Sequence, residues 1–134
     1  MPPSTKDILA RTQRNNIRTK SVYSPAEPAD GRRVLTTHYW PRGIPKSAVD
    51  EYVRRLGPSR DLLRGFKRGE ISWDVYKERY LQEMQEEDAR GEIRRLANLA
   101  QRETVTILCV CKDESKCHRT LLRELILEEV RNAP

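Results

Sequence analysis

The sequence predicts a single α/β domain built on a small, mostly parallel sheet of about three or four strands covered by helices. The 134 residues are enough for one hydrophobic core. Short β-branched runs alternate with segments whose apolar residues recur at helical spacing. About 64 residues of mostly helical sequence separate the second predicted strand from the third, as expected for a right-handed crossover between parallel strands.

Three segments have the apolar and β-branched residues typical of strands, and they cover residues 16–23, 34–39 and 104–110. Residues 24–31 are dense in proline and other turn-forming residues, which predicts a loop between the first two strands. The segment Trp40-Pro-Arg-Gly-Ile-Pro45 should end the second strand, because its prolines cannot donate a ladder hydrogen bond.

Helical spacing predicts four helices between the second and third strands and another at the end of the chain. Ser47, Ser59 and Ser72 are placed to cap the first three of them. We expect the helix after Ser72 to be the longest and Gly91 to break it, before a fourth helix over residues 93–100. The last helix follows the third strand and carries apolar residues at helical spacing: Leu121, Leu122, Leu125, Ile126 and Val130.

The chain is basic, with 26 Lys and Arg against 20 Asp and Glu. This balance favours anionic partners, namely an anionic small molecule or phosphate, a nucleotide, or nucleic acid. Residues 1–14 are predicted to form a mobile basic tail outside a single domain of residues 15–134. The segment 11–20 carries no acid and has these cations: Arg11, Arg14, Arg18 and Lys20.

No apolar run approaches the roughly 18 residues that a membrane span needs, and the N-terminus lacks the apolar stretch of a signal peptide. The three cysteines are clustered at one turn, which is not the pattern of a secreted disulfide framework. We therefore expect a cytoplasmic protein with reduced thiols and no membrane partner. The sequence requires no cofactor.

The richest chemistry lies where the third strand turns into the last helix. Ligands of open α/β sheets bind beyond the carboxyl ends of strands, beside helix N-termini. Lys116 and Arg119, together with helix N–H groups, can bind an anion there. Arg42 and Trp40 also follow a strand, so we expect Arg42 and Arg119 to meet at one edge of the sheet and clamp a phosphate or carboxylate. An anion- or nucleotide-binding site at this turn is the preferred interpretation.

Cys117 is the candidate nucleophile of this turn, with His118 as its catalytic neighbour. A thiol at a helix N-terminus beside Lys116, His118 and Arg119 should have a lowered pKa. We expect Cys117 to be exposed at the loop–helix junction, and therefore to alkylate faster than the other cysteines. The phosphate-binding loop of cysteine phosphatases is absent, because Arg123, six positions after Cys117, falls inside the predicted helix.

The same turn also holds four possible metal ligands, Cys109, Cys111, Cys117 and His118, within ten residues of sequence. A Cys3His zinc site is one interpretation. The order C-x-C-x5-C-H matches no familiar ligand frame, however, and buried cysteines on an apolar strand are often small hydrophobic residues. On this ground we expect no stoichiometric zinc and keep a metal-binding domain as an alternative.

Several short motifs follow one another along the chain: Tyr23-Ser-Pro-Ala-Glu27, Asp30-Gly31, Trp40-Pro-Arg-Gly43, Glu78-Arg-Tyr-Leu81, Leu108-Cys109 and Cys117-His-Arg119. In this order the sequence resembles the DUF488 (YeaO-like) family from about Ile17 to Val130. The resemblance implies a small α/β domain, and it implies no particular reaction.

Two departures from the family pattern concern acidic residues. Family members usually carry Asp-Arg before Leu-Trp-Pro-Arg-Gly, where this chain has Thr37-His38-Tyr39. Another branch has a glutamate at the position of Cys111. If those acids are catalytic in the relatives, the activity of this chain differs.

A nucleic-acid- or protein-binding module that uses the basic surface stays open as another function. Further candidate pocket residues are Tyr23, His38 and Arg79.

Overall fold

The computed structural model describes residues 16–111 and 114–132. The predicted tail of residues 1–14 therefore lies outside the described residues. Four strands and four α-helices occur in the described part: β1 (Ile17–Ser21), β2 (Arg32–Leu35), β3 (Glu51–Tyr52), α1 (Arg60–Lys67), α2 (Trp73–Glu83), α3 (Glu87–Ala100), β4 (Val105–Cys109) and α4 (His118–Asn132).

The four strands form one parallel sheet in the order β1-β4-β2-β3. Ser21 of β1 aligns with Cys109 of β4, and Leu35 of β2 aligns with Leu108 of β4 and with Tyr52 of β3. The carboxyl ends of all four strands therefore meet at one edge. The predicted α/β class with a small parallel sheet is confirmed.

Alternation along the strands gives the sheet two apolar faces. Ile17, Val34, Val105 and Ile107 belong to one large core cluster with the buried residues of all four helices. Leu35 and Leu108 point the other way and pack with Val22, and the described residues that cover them are Ile44 and Val49. The helices thus pack against the face that also carries Cys109, because Cys109 is two residues beyond Ile107.

Two of the predicted helix starts are confirmed in detail. The Ser59 hydroxyl accepts a hydrogen bond from the Leu62 N–H and caps α1. The Ser72 hydroxyl accepts one from the Val75 N–H and caps α2. Each bond satisfies a helix N–H that has no partner within the helix.

The helix predicted after Ser47 does not form. A 3-10 turn occupies Lys46–Ala48, β3 follows, and a second 3-10 turn occupies Arg54–Leu56. The backbone N–H groups of Asp50 and Val53 donate instead to the carbonyls of Arg33 and Leu35. Pairing with β2 thereby replaces the hydrogen bonds that a short isolated helix would have made.

The expected long helix also ends earlier than predicted, and Gly91 does not break it. α2 stops at Glu83, whereas Gly91 lies inside α3, so α4 with 15 residues is the longest helix of the described part. The break falls at Glu86, an extended residue that directly precedes α3 and whose carboxylate binds Arg55. Packing of α3 through residues such as Ile93 outweighs the modest helix penalty of one glycine.

Asp30 fastens the loop between β1 and β2 to the sheet. Its fully buried carboxylate accepts hydrogen bonds from Lys20, Arg33 and the Glu27 N–H, and its carbonyl accepts one from the Thr106 hydroxyl. Burial by itself raises the pKa of Asp30, but these hydrogen bonds and the two cations outweigh it and hold the pKa below its usual value.

Candidate small-molecule site

A cavity of about 620 Å³ opens at the carboxyl edge of the sheet. The segments that leave β1, β2 and β4 line it, through Tyr23, residues 37–42 and residues 109–111, and α1 and α2 close the remaining side. The volume lies within the range of small-molecule sites, and this edge is where α/β sheets bind ligands.

Aromatic side chains form much of the cavity wall: Tyr23, Tyr39, Trp40, Phe66 and Tyr76. Three contacts hold the loop that carries Trp40 in place. The Trp40 indole N–H donates to the Ile44 carbonyl at 2.9 Å, the ring meets Tyr52 edge to face, and the Tyr23 hydroxyl donates to the Arg42 carbonyl at 3.2 Å. The wall on this side is therefore preorganised.

Three cations also line the cavity, and they are Arg42, Lys67 and Lys116. No carboxylate of the described residues lies within salt-bridge distance of any of them. They remain available to an anion, and the role of Arg42 and Lys116 as anion ligands stays a prediction.

Arg119 does not line this cavity. Its side chain is only 2% exposed. Successive helix residues point about 100° apart, so when His118 faces the cavity, Arg119 is turned away from it. The expected clamp of Arg42 with Arg119 is replaced by cavity cations that come from three different segments. The structure brings Trp40, Arg42, Lys116 and His118 together and leaves Arg119 out.

Four residues beside the cavity form what we call the Cys3His cluster: Cys109, Cys111, Cys117 and His118. Cys109, Cys111 and His118 line the cavity, and Cys117 is buried next to them. One ligand atom from each lies within 4.8 Å of those from the other three. The Cys109 and Cys117 sulfurs are 2.9 Å apart, and the Cys111 N–H donates to the Cys109 sulfur at 3.2 Å. The end of β4 supplies two members and the start of α4 supplies the other two, across a short loop.

His118 is buried and its ring is oriented by the end of β2. Its Nε2 lies 2.5 Å from the Thr36 carbonyl oxygen, which can only accept a hydrogen bond. Nε2 therefore carries a proton and donates it, and in the neutral imidazole the lone pair is on Nδ1. That atom faces the cluster, 4.0 Å from the Cys117 sulfur.

The expectation of an exposed, acidic Cys117 is wrong. Cys117 is 1% exposed, while Cys111 is the half-buried thiol that lines the cavity. Hydrogen bonds with Cys109 and Cys111, together with burial, raise the pKa of Cys117. Thiol hydrogen bonds from Cys109 and Cys117 lower the pKa of Cys111, and the bond with Cys111 raises the pKa of Cys109 to about 12. The neighbouring sulfurs therefore affect the pKa values of these thiols more than the N-terminus of α4 does.

Of the two further candidate pocket residues His38 and Arg79, the structure places only His38 at the cavity. His38 lines the cavity, where burial and the neighbouring Arg54 and Arg60 lower its pKa. Arg79 is exposed on α2 and does not line it. Lys67, Phe66 and Tyr76 were not predicted, because helical spacing only marks apolar faces and does not say which helix end reaches the sheet edge.

Within the part of the chain that the structure describes, no helix combines the length and apolar character needed to cross a lipid bilayer.

Comparisons with known proteins agree with the motifs. Residues 17–130 match the family model DUF488-N3a, described as the active DUF488-N3 subclade. The uncharacterized protein YeaO of Escherichia coli (strain K12) is 35% identical over 111 residues, which are 81% of this chain and 95% of that protein. The uncharacterized protein Mb3100c of Mycobacterium bovis is 29% identical over 112 residues, 82% of this chain and 92% of its own length. No solved structure matches the chain significantly. The chain therefore belongs to the DUF488 family, with the YeaO-like proteins.

Proposed function

We propose that the cavity binds a nucleotide-like anion, that is, an aromatic ring that carries a phosphate. One observation supports this most directly: the same cavity combines five aromatic side chains with three cations that no carboxylate of the described residues neutralises. The aromatic rings offer stacking surface, and Arg42 offers the planar fork that matches a phosphate. The family model's description as active favours a reaction on the bound molecule over simple storage.

Different residues of the cavity would bind the ring and the phosphate of the ligand. Trp40 and Tyr23 are fixed by hydrogen bonds to the loop carbonyls, so they can receive a ring with little loss of side-chain entropy. Lys116 stands just before the N-terminus of α4, where the helix dipole also favours negative charge. A phosphate near Arg42 and Lys116 would leave the ring of the ligand against the aromatic wall.

Calorimetric titration with AMP tests the proposal, with adenosine and inorganic phosphate as the two halves of the ligand. We expect AMP to bind and each half to bind more weakly. Arg42→Gln should weaken AMP binding by roughly 10- to 100-fold, the loss of one charge-assisted hydrogen bond. Arg102→Gln is the matched control, because Arg102 is exposed in the turn before β4, at the opposite edge of the sheet. No AMP binding at millimolar concentration, or equal effects of the two variants, would contradict the proposal.

A basic face on α1 supports nucleic acid as a second candidate ligand. Arg60, Arg64, Lys67 and Arg68 line a shallow depression of about 240 Å³, which shares Tyr39, Leu63 and Lys67 with the main cavity. A single strand could place one base in the cavity and its phosphates along α1. By contrast, Arg18 and Lys20 of the predicted basic segment bind the Ala29 carbonyl and Asp30.

The two candidates differ in their dependence on salt and on α1. If a single-stranded oligonucleotide is the ligand, its affinity should fall steeply with salt and should drop in the double variant Arg60→Gln, Arg64→Gln. AMP binding should be unchanged in that variant. Fluorescence anisotropy with a labelled oligonucleotide distinguishes the cases.

A further inference from the structure

We infer that the Cys3His cluster is a zinc site beside the cavity. The sequence argued against zinc because the order of the ligands along the chain is unfamiliar. Order along the chain is irrelevant once the atoms meet, and the four ligand atoms lie within 4.8 Å of one another. Three thiols and one imidazole are a donor set that selects zinc among the common divalent metals of cells.

The distances suit a tetrahedral centre. With Zn–S bonds of about 2.3 Å and a Zn–N bond of about 2.0 Å, neighbouring ligand atoms stand roughly 3.5 to 4 Å apart. The Cys117 sulfur and His118 Nδ1 are already 4.0 Å apart. The Cys109 and Cys117 sulfurs, now 2.9 Å apart, would separate by less than about 1 Å. Rotation of side chains is enough for that movement.

The outer contacts have the form that zinc ligands need. A ligating histidine donates its second ring N–H to a fixed acceptor, which sets the tautomer and the ring orientation. His118 does this through Nε2 and the Thr36 carbonyl, so that Nδ1 is the unprotonated nitrogen on the cluster side. The Cys111 N–H in turn donates to the Cys109 sulfur, and such a bond stabilises a metal-bound thiolate.

A zinc site also explains why sulfur and imidazole nitrogen atoms lie together in a largely buried part of the protein. Cys109, Cys117 and His118 are all less than 4% exposed. On binding, Zn²⁺ takes the sulfurs as thiolates, the thiol protons pass to solvent, and no electron is transferred. Cys111 and His118 then act as ligands, and neither is free to serve as a nucleophile or base. This inference is independent of the ligand proposed for the cavity above.

Metal analysis of the full chain purified under reducing conditions without chelator is the first test. We expect close to one zinc per chain. Replacement of the zinc by Co²⁺ should give the intense visible bands of a tetrahedral cobalt–thiolate centre, a readout that needs neither the cavity ligand nor any activity. Cys111→Ser and His118→Gln should each weaken zinc binding by more than about 100-fold in a competition assay with a chromophoric chelator.

The chain provides a matched control for the histidine, because it contains two histidines and both line the cavity. His38→Gln should bind zinc like the natural chain, since His38 contacts Arg54 and lies outside the cluster. Circular dichroism spectra should confirm that each variant is folded, and Cys111→Ser is chosen because Cys111 is the least buried of the three thiols.

Three results would overturn the inference. One is a folded protein that takes up neither zinc nor cobalt at micromolar metal. Another is zinc binding that is equally strong in the natural chain, Cys111→Ser and His118→Gln. The third is a Cys109–Cys117 disulfide in protein prepared without oxidant, seen as a mass two hydrogens lower. AMP binding in metal-free protein would leave the proposed function intact in any of these cases.

Discussion

At the scale of single residues, Cys111 and Cys117 have opposite surroundings although both lie in the same turn. Cys111 lies two residues beyond the end of β4 and is half-buried at the cavity, whereas Cys117 is buried with its sulfur against the Cys109 sulfur. A helix N-terminus favours a thiolate only where solvent or a cation can reach it. At this turn the packing against β4 decides which sulfur is accessible.

We therefore predict that Cys111 is the first cysteine to be alkylated. In chelator-treated, reduced protein, iodoacetamide should modify Cys111 roughly tenfold or more faster than Cys117, because reagent access limits the buried thiol. Peptide mass spectrometry after partial labelling measures the ratio. Labelling in denaturant, where the three thiols should react alike, is the control, and preferential labelling of Cys117 in the folded protein would contradict the prediction.

At the scale of elements, two glycines have opposite roles. Gly91 lies within α3, exposed and with open space around the position of a Cβ atom. Gly31 has a φ of 61°, and a Cβ atom there would stand 2.3 Å from the Thr104 carbonyl oxygen. The backbone of Gly31 must come that close, because the next residue, Arg32, donates its N–H to the same carbonyl.

Alanine at the two positions should shift stability in opposite directions. Gly91→Ala should raise the free energy of unfolding by about 0.5–1 kcal/mol, since alanine has the higher helix propensity and a less flexible unfolded chain. Gly31→Ala should lower it by more than about 1 kcal/mol through strain and overlap. Urea unfolding followed by circular dichroism measures both. If Gly91→Ala destabilised the protein, the continuity of α3 through residue 91 would be wrong.

At the scale of the whole molecule, Asp30 connects the loop after β1 with three strands. Lys20 comes from β1, Arg33 from β2 and Thr106 from β4. Because the pKa of Asp30 is lowered on folding, its ionised carboxylate stabilises the fold above its unfolded pKa of about 3.9. That contribution is lost as the pH falls through the lower pKa of the folded protein.

Asp30→Ala should therefore lower the free energy of unfolding at pH 7 by roughly 3 kcal/mol or more, because two partly buried cations lose their partner. The difference from the natural chain should shrink as the pH falls below about 4. Asp74→Ala, at an exposed position in the first turn of α2, should have a much smaller effect. Denaturant unfolding at a series of pH values checks this, and a pH-independent difference would show that the charge of Asp30 is not the cause.

The predictions from the sequence were most accurate for features that depend on residues close together in the chain. The Ser59 and Ser72 caps were predicted correctly, because each depends on neighbours within a few residues. The strand predicted at 104–110 forms over Val105–Cys109, because its β-branched and apolar run is itself typical of a buried strand. The helix after Ser47 was wrong, because its apolar spacing competes with pairing between β3 and β2, and that pairing joins residues about 17 positions apart. Trp40 and Arg42 lie at the same edge of the sheet as the turn before α4, as predicted, since parallel strands end at one edge.

The sequence alone determined the α/β class, the family, and the turn at which the chemistry gathers, because periodicity and short motifs are properties of adjacent residues. Only the tertiary structure decided which side chains face one another there. Packing at the start of α4 buries Arg119 and the preceding Cys117. The Thr36 carbonyl, more than 80 residues before His118, binds the His118 Nε2 and so turns Nδ1 toward the thiols. Burial and hydrogen-bond geometry arise from contacts between distant segments, and these depend on how the helices pack on the sheet.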